Sequence, residues 1–216
     1  MLTLFDHPRS GNCYKVRLFL ALHGIRYVSR YVDVLGRANR SPAYAAVNPF
    51  CQVPTLQDGD DLIWDSQAIL CHLAARHAPH WLPQPGTRDH ARVQQWLSVS
   101  SNEIANSLQP LRLVHIVGID EAAHHLGVAV ESFDLAGCIA RSERLLSVMD
   151  AHLADHGPWL ACPRPTVADI ACYGYVCRAH EARIDLAAQF PAVAAWAGRI
   201  AALPGYLGME ASAHPT

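Results

Sequence analysis

Strand-like and helix-like patterning alternate through the first 77 residues of this 216-residue chain, and then the alternation stops. The break is the proline-rich run Ala78-Pro79-His80-Trp81-Leu82-Pro83-Gln84-Pro85-Gly86. Proline has no N–H to give to a helix or a central strand, so such a run reads as a linker. Beyond it strand signals vanish and helical periodicity takes over. A chain of this length buries one large core or two modest ones, and the change of pattern argues for two.

The first half opens on a strand, Leu2 to Phe5. A helix follows from Cys13 to His23, with Val16, Leu18, Phe19, Leu20 and Leu22 facing inward and Gly24 closing it. Tyr27 to Val34 reads as a second strand and Pro42 to Val47 as a short helix. Val53 to Gln57 and Asp61 to Trp64 form a hairpin across Asp58-Gly59-Asp60, and Ser66 to His77 is a last helix. This order, βαβ then ββα, is that of a thioredoxin-like domain. The expected fold class is therefore an α/β thioredoxin-like N-terminal domain (1–77), a linker (78–87) and an all-α helical domain (88–216).

In the second half Val93, Trp96, Leu97, Ser100, Ile104 and Leu108 line one face of a long helix until Pro110 kinks or ends it. Leu135 to Leu153 gives another helix. Thr166-Val167-Ala168-Asp169 resembles a capping box that starts a core helix. Phe190-Pro191 opens a final helix through Ile200, closed by Leu203-Pro204-Gly205.

Composition excludes several classes of function. A formal net charge of -2 argues against nucleic-acid or membrane-surface partners. No apolar run approaches the roughly 18 residues of a membrane span, and Met1 to Leu4 is not a signal peptide. Seven cysteines with no CxxC pair do not read as a disulfide framework, so a reduced, cytoplasmic protein is expected. His152 and His156, with Asp155 between them, lack an obvious third ligand, so they read as surface histidines and no metal is expected.

Two short motifs in the first half carry chemistry. In Gln52-Val53-Pro54, a cis bond before Pro54 would leave the Val53 N–H and C=O facing outward, where a short peptide could pair as an added strand. Asp65-Ser66 follows a strand and opens the apolar-periodic run Ala68, Ile69, Leu73. Ser66 is placed at or near a helix N-cap, where its hydroxyl and the backbone N–H groups attract a carboxylate. Asp65 attracts an ammonium. A carboxylate receptor beside an ammonium receptor recognises an α-amino acid zwitterion.

The loop His7 to Val16 lies where thioredoxin-like folds place a CxxC motif. Here the pattern is Ser10-x-x-Cys13, so the first position offers a hydroxyl. A serine cannot itself remove a thiol proton, but it can donate a hydrogen bond to a bound thiolate. Lowering a thiol pKa from about 8.5 to about 6.5 needs roughly 2.7 kcal/mol. A hydrogen bond to a charged group contributes about 1.5–3 kcal/mol and a helix N-terminus about 0.3–1. Ser10 and the helix together reach the target, and the Asn12 amide gives margin. Cys13, the rival nucleophile, reads as a packed free cysteine.

Taken in order, Ser10 to Arg17, Asn48-Pro49 through Gln52-Val53-Pro54, Asp65-Ser66, the Thr166 to Asp169 box and the Phe190 to Gly205 segment resemble the glutathione S-transferase superfamily. The likeness is to bacterial members related to the serine-using theta, zeta and nu classes, and it covers essentially the whole chain. It implies that Ser10 stabilises the thiolate of glutathione, a co-substrate, with Asn12 as a second donor. It implies that Val53, before a cis Pro54, pairs with the cysteinyl backbone, that Asp65 and Ser66 bind the γ-glutamyl end, and that Gln52 approaches the glycyl carboxylate. Asn39 or Arg40 would help there. Such proteins are usually homodimers, in which Glu103 either reaches the partner's site or is a solvated face residue. The second substrate would be a small hydrophobic electrophile, in a pocket lined near Leu108, Leu111, Arg112 and His115.

The leading expectation is an enzyme that conjugates glutathione to such electrophiles. Glutathione-dependent disulfide or peroxide reduction is the alternative enzyme reading. A non-catalytic member that binds glutathione or a protein is the third.

Overall fold

A computed structural model of the chain describes residues 1–210. The first half is assembled on β1 (Leu2–Asp6), a strand buried at nearly every position. It pairs in parallel with β2 (Tyr27–Tyr31) and antiparallel with β3 (Thr55–Asp58), which pairs antiparallel with β4 (Asp61–Trp64). The strand order is β2-β1-β3-β4. Leu4 stands opposite Leu56, and both are fully buried. The tight β3–β4 turn places Gly59 at φ 65, a conformation that costs glycine little.

A parallel neighbour requires a crossover, supplied by α1 (Gly11–Leu22). Its far end is a Schellman motif: Ile25 N–H reaches Leu20 C=O at 2.9 Å and Gly24 N–H reaches Ala21 C=O at 3.1 Å. Nearly all of α1 is buried, Lys15 and Arg17 included, so it has no solvated face. Leu22, expected inside, is only half-buried. The half is completed by α2 (Pro42–Ala45) and α3 (Ser66–His77).

Two strands are shorter than their patterns predict. β2 stops at Tyr31 because its partner β1 stops at Asp6. β3 starts at Thr55, not Val53, since Pro54 has no N–H for the ladder.

Beyond the linker come α4 (Arg88–Val99), α5 (Leu108–Val117), α6 (Ile119–Leu126), α7 (Leu135–His156), α8 (Val167–Val176), α9 (Leu186–Gln189) and α10 (Pro191–Ala201). The single long helix expected up to Pro110 is two helices. After α4 comes a π-helical turn at Ser100–Ile104 and a break before Leu108. Ser101 and Ser107 donate their hydroxyls to the carbonyls of Leu97 and Glu103 four residues back, a contact that bends helices. Pro110 then falls in the first turn of α5, where its missing N–H has no intrahelical partner to lose.

The capping box is present. The fully buried Asp169 carboxylate accepts from the Thr166 N–H at 2.9 Å and the Thr166 hydroxyl at 3.0 Å. It also accepts from Leu160 N–H and Trp196 Nε1, each at 3.0 Å. Burial pushes its pKa up, and these four hydrogen bonds pull against that rise.

Two compact units result: Met1–Gln84 with residues 201–210, and Pro85–Ile200. Residues 201–210 thus group with the first unit. There Tyr14 donates its hydroxyl to Leu207 C=O at 2.9 Å, and Gly205, at φ 80, lies so close to α1 that a Cβ would sit 3.0 Å from Ala21 O.

Candidate functional site

In the first unit three chain segments close around a cleft of about 230 Å³. Asn12 contributes from the first turn of α1. Asn48, Phe50 and Gln52–Pro54 contribute from the loop before β3, and Trp64–Ser66 from the passage of β4 into α3.

The loop before β3 is held from behind by amides and a phenol. Asn48, 2% exposed, donates its Nδ2 to Gln52 C=O at 2.8 Å and accepts from Phe50 N–H at 2.9 Å. Tyr44 donates to the same Gln52 carbonyl at 2.9 Å, and Asn39 donates to Cys51 C=O at 2.6 Å. Asn39, expected as a ligand contact, is thus buried beneath the loop it supports. The Val53–Pro54 bond is cis. Among the described residues no hydrogen bond engages the N–H or C=O of Val53.

At the α3 end the N-cap is Asp65, not Ser66. Asp65 takes φ 73, a conformation costing a non-glycine residue about 1–3 kcal/mol. Its Oδ1 accepts from Gln67 N–H at 2.9 Å and Ala68 N–H at 3.1 Å. The expected anion-binding amides of the first turn are therefore partly satisfied by Asp65 itself. Ser66, the first helical residue, is 3% exposed and its hydroxyl faces Gln67 Oε1 at 2.9 Å. Asp65 remains an exposed acid at the cleft wall.

Ser10 is not among the residues that line the cleft; it lies two residues before Asn12. It is the N-cap of α1, half-buried, its Oγ accepting from Cys13 N–H at 3.2 Å. That bond uses an oxygen lone pair and leaves the hydroxyl hydrogen to donate elsewhere. Asn12, Gln52, Val53, Pro54, Asp65 and Ser66 line the cleft together.

Sequence reasoning missed the aromatic pair at the rim. Phe50 and Trp64 are 62% and 41% exposed, with ring centroids 5.0 Å apart. Two exposed aromatics beside polar motifs were the available signal.

Comparison with known proteins decides the family. A profile described as "Glutathione S-transferase, N-terminal domain" matches residues 9–76, and one described as "Glutathione S-transferase, C-terminal domain" matches residues 128–199. Glutathione S-transferase 3 of Zea mays is 30% identical over 95% of this chain and 91% of its own length. The chain belongs to the glutathione S-transferase family.

Solved glutathione S-transferase structures agree. A possible glutathione S-transferase from Rhodopseudomonas palustris has a TM-score of 0.84 and 33% identity, covering 97% of this chain and 90% of that one. The theta class glutathione S-transferase of Xanthomonas axonopodis pv. citri, solved with glutathione bound, has a TM-score of 0.79 and 28% identity, covering 95% and 94%.

Other expected positions of this family member fall as follows. Cys13 is fully buried and receives the His7 N–H at 3.4 Å. Burial raises its thiol pKa and the Asp6 carboxylate adds to the rise, so the thiol is held neutral. Leu108 and Leu111, expected to face an electrophile, are buried, and Arg112 is engaged by Glu181. Glu103 is exposed, its carboxylate accepting from Asn102 at 3.1 Å. His152, expected at the surface, is half-buried against Trp96 with centroids 4.8 Å apart. Among the described residues no group of three His, Cys, Asp or Glu side chains could hold a metal ion, and no helix is long and apolar enough to cross a membrane.

Proposed function

We propose that this protein is a glutathione transferase that binds glutathione in the cleft and activates its thiol for attack on small hydrophobic electrophiles. The observation that carries the reading is the convergence of an unengaged Val53 backbone, an exposed Asp65 and the Asn12 amide on one cleft. The cysteinyl backbone of glutathione pairs with Val53 as an added strand. Asp65 takes the γ-glutamyl ammonium, Ser66 meets the γ-glutamyl carboxylate, and Gln52 lies toward the glycyl end.

The sulfur is then presented to Ser10 and Asn12. Each donates a hydrogen bond that favours the thiolate over the thiol, and the thiol proton leaves to solvent. The thiolate lone pair forms the new carbon–sulfur bond as the leaving group departs with its electrons. The protein acts in a reduced, cytoplasmic setting, as a homodimer. Disulfide or peroxide reduction by the same thiolate, held by the same Ser10 and Asn12, is the second reading.

Titration calorimetry with glutathione tests the site, and a parallel panel of aryl halide, epoxide, organic hydroperoxide and hydroxyethyl disulfide tests the chemistry. Turnover of the halide or epoxide supports conjugation. Turnover of the last two alone replaces it with reduction, and binding without turnover makes the protein a non-catalytic member. No binding removes the reading.

A further inference from the structure

Lys15 is 1% exposed, a rare state for a lysine, because taking an ammonium out of water is costly unless partners meet it. One partner is Asn12, three residues earlier on the same face of α1, whose Oδ1 accepts from Lys15 Nζ at 2.8 Å. The Ser66 hydroxyl also faces that Oδ1, at 3.4 Å.

An asparagine amide is nearly symmetric in shape. Its oxygen and nitrogen ends fill the same space, so packing alone does not choose which end faces the cleft. Charge does. An ammonium has three donors and no acceptor, and therefore meets only the oxygen end. Among the described residues no acceptor meets the Asn12 NH2 group, while Asn12 lines the cleft.

We propose that Lys15 is a positioning residue: by holding Oδ1 it turns the Asn12 NH2 toward the cleft, so that the amide offers a donor to an anionic sulfur. Turned the other way, the amide would set its carbonyl oxygen against the thiolate and disfavour the reactive form. A lysine suits the task better than a glutamine, whose amide both donates and accepts and so tolerates either orientation. This inference rests on the glutathione reading of the cleft, and it acts through Asn12 alone.

The test uses Lys15→Met, which keeps the length of the side chain and removes the donor, with Lys15→Gln as a second variant should the first fail to fold. The first measurement needs no ligand. The side-chain amide signals of Asn12, assigned by their loss in Asn12→Ala, are expected to shift when Lys15 is changed and to return toward their native positions in Lys15→Arg. The second is thiolate ultraviolet absorbance of the glutathione complex against pH.

Lys15→Met and Asn12→Ala should each raise the bound thiol pKa by about one unit, an about ten-fold loss of thiolate at neutral pH. The double variant should match Asn12→Ala, and the KM for glutathione should stay within a few-fold. An unchanged thiol pKa in Lys15→Met overturns the proposal, as does an additive double variant, which would mean that the ammonium acts through its own field. If native protein binds no glutathione, the glutathione reading fails, and the unliganded signals still decide: Asn12 resonances indifferent to Lys15 overturn the positioning role.

Discussion

The Arg17 guanidinium meets the Asp6 carboxylate with both side chains out of water, joining the middle of α1 to the last residue of β1. The same guanidinium donates to His7 C=O at 3.3 Å and Pro8 C=O at 2.8 Å. One cation thus ties down the start of the loop that carries Ser10 and Asn12.

Arg17→Met should therefore be strongly destabilising. It strands the Asp6 carboxylate and releases two loop carbonyls, and breaking a buried pair from one side costs about 3–5 kcal/mol. Urea denaturation of the variant should show the loss. A midpoint near that of the native protein would mean that water reaches Asp6 and that the pair contributes little.

Ser10→Ala is expected to have two separable effects. Loss of the N-cap lowers stability by about 1 kcal/mol. Loss of the hydroxyl donor raises the bound thiol pKa by roughly one to two units, so turnover near neutral pH falls about ten- to a hundred-fold and partly recovers as pH rises. Where Asn12 shares the sulfur, only Ser10→Ala/Asn12→Ala shows the full shift. Equal thiol pKa values in native protein and double variant would exclude this loop from activating the sulfur.

Because Asp65 is also the cap of α3, Asp65→Asn is the cleaner probe of its charge. Asparagine caps about as well as aspartate, so thermal stability should hold. Loss of an exposed ionic partner should raise the KM for glutathione about two- to five-fold while turnover changes less. An unmoved KM takes Asp65 out of the ligand site.

Desolvated thiols set an alkaline limit. Burial raises the pKa of Cys13 and pushes that of Cys177 up to about 12. With pKa values raised in the folded state, their contribution is complete below the unfolded thiol value of about 8.5 and is lost as pH climbs toward 12. Denaturation midpoints measured from pH 7 upward should fall above about 8.5, and Cys13→Ala should flatten the fall. The same variant should retain most activity. A collapse of activity in folded Cys13→Ala protein would make that thiol the nucleophile.

Local pattern carried far along the chain. The extents of β4 and α3 agree with their sequence-based boundaries, because a short apolar run ends at Trp64 and an apolar-periodic run opens after Asp65-Ser66. The Thr166–Asp169 box was legible for the same reason: a cap needs only residues three apart. Asn12, Val53, Pro54, Asp65 and Ser66 carried chemistry recognisable from residue type and spacing, Gln52 came in through the family resemblance, and the fold brings all six to one cleft.

What no local window contains is the identity of the partner that each polar group meets. Whether Asp65 or Ser66 caps α3 turned on a backbone angle at the β4 end. The break before α5 depended on where serine hydroxyls met carbonyls one turn back, and Pro110 gave only its neighbourhood. In one dimension Lys15 and Arg17 read as solvated charges. Only the packed structure surrounds α1 on all sides and supplies Asp6, His7, Pro8 and Asn12 as partners for those two cations. Residue type and spacing sufficed for the order of the first-half elements and for the resemblance to the family. Burial, a property of the whole chain, took Lys15 and Arg17 out of water and set which groups they meet.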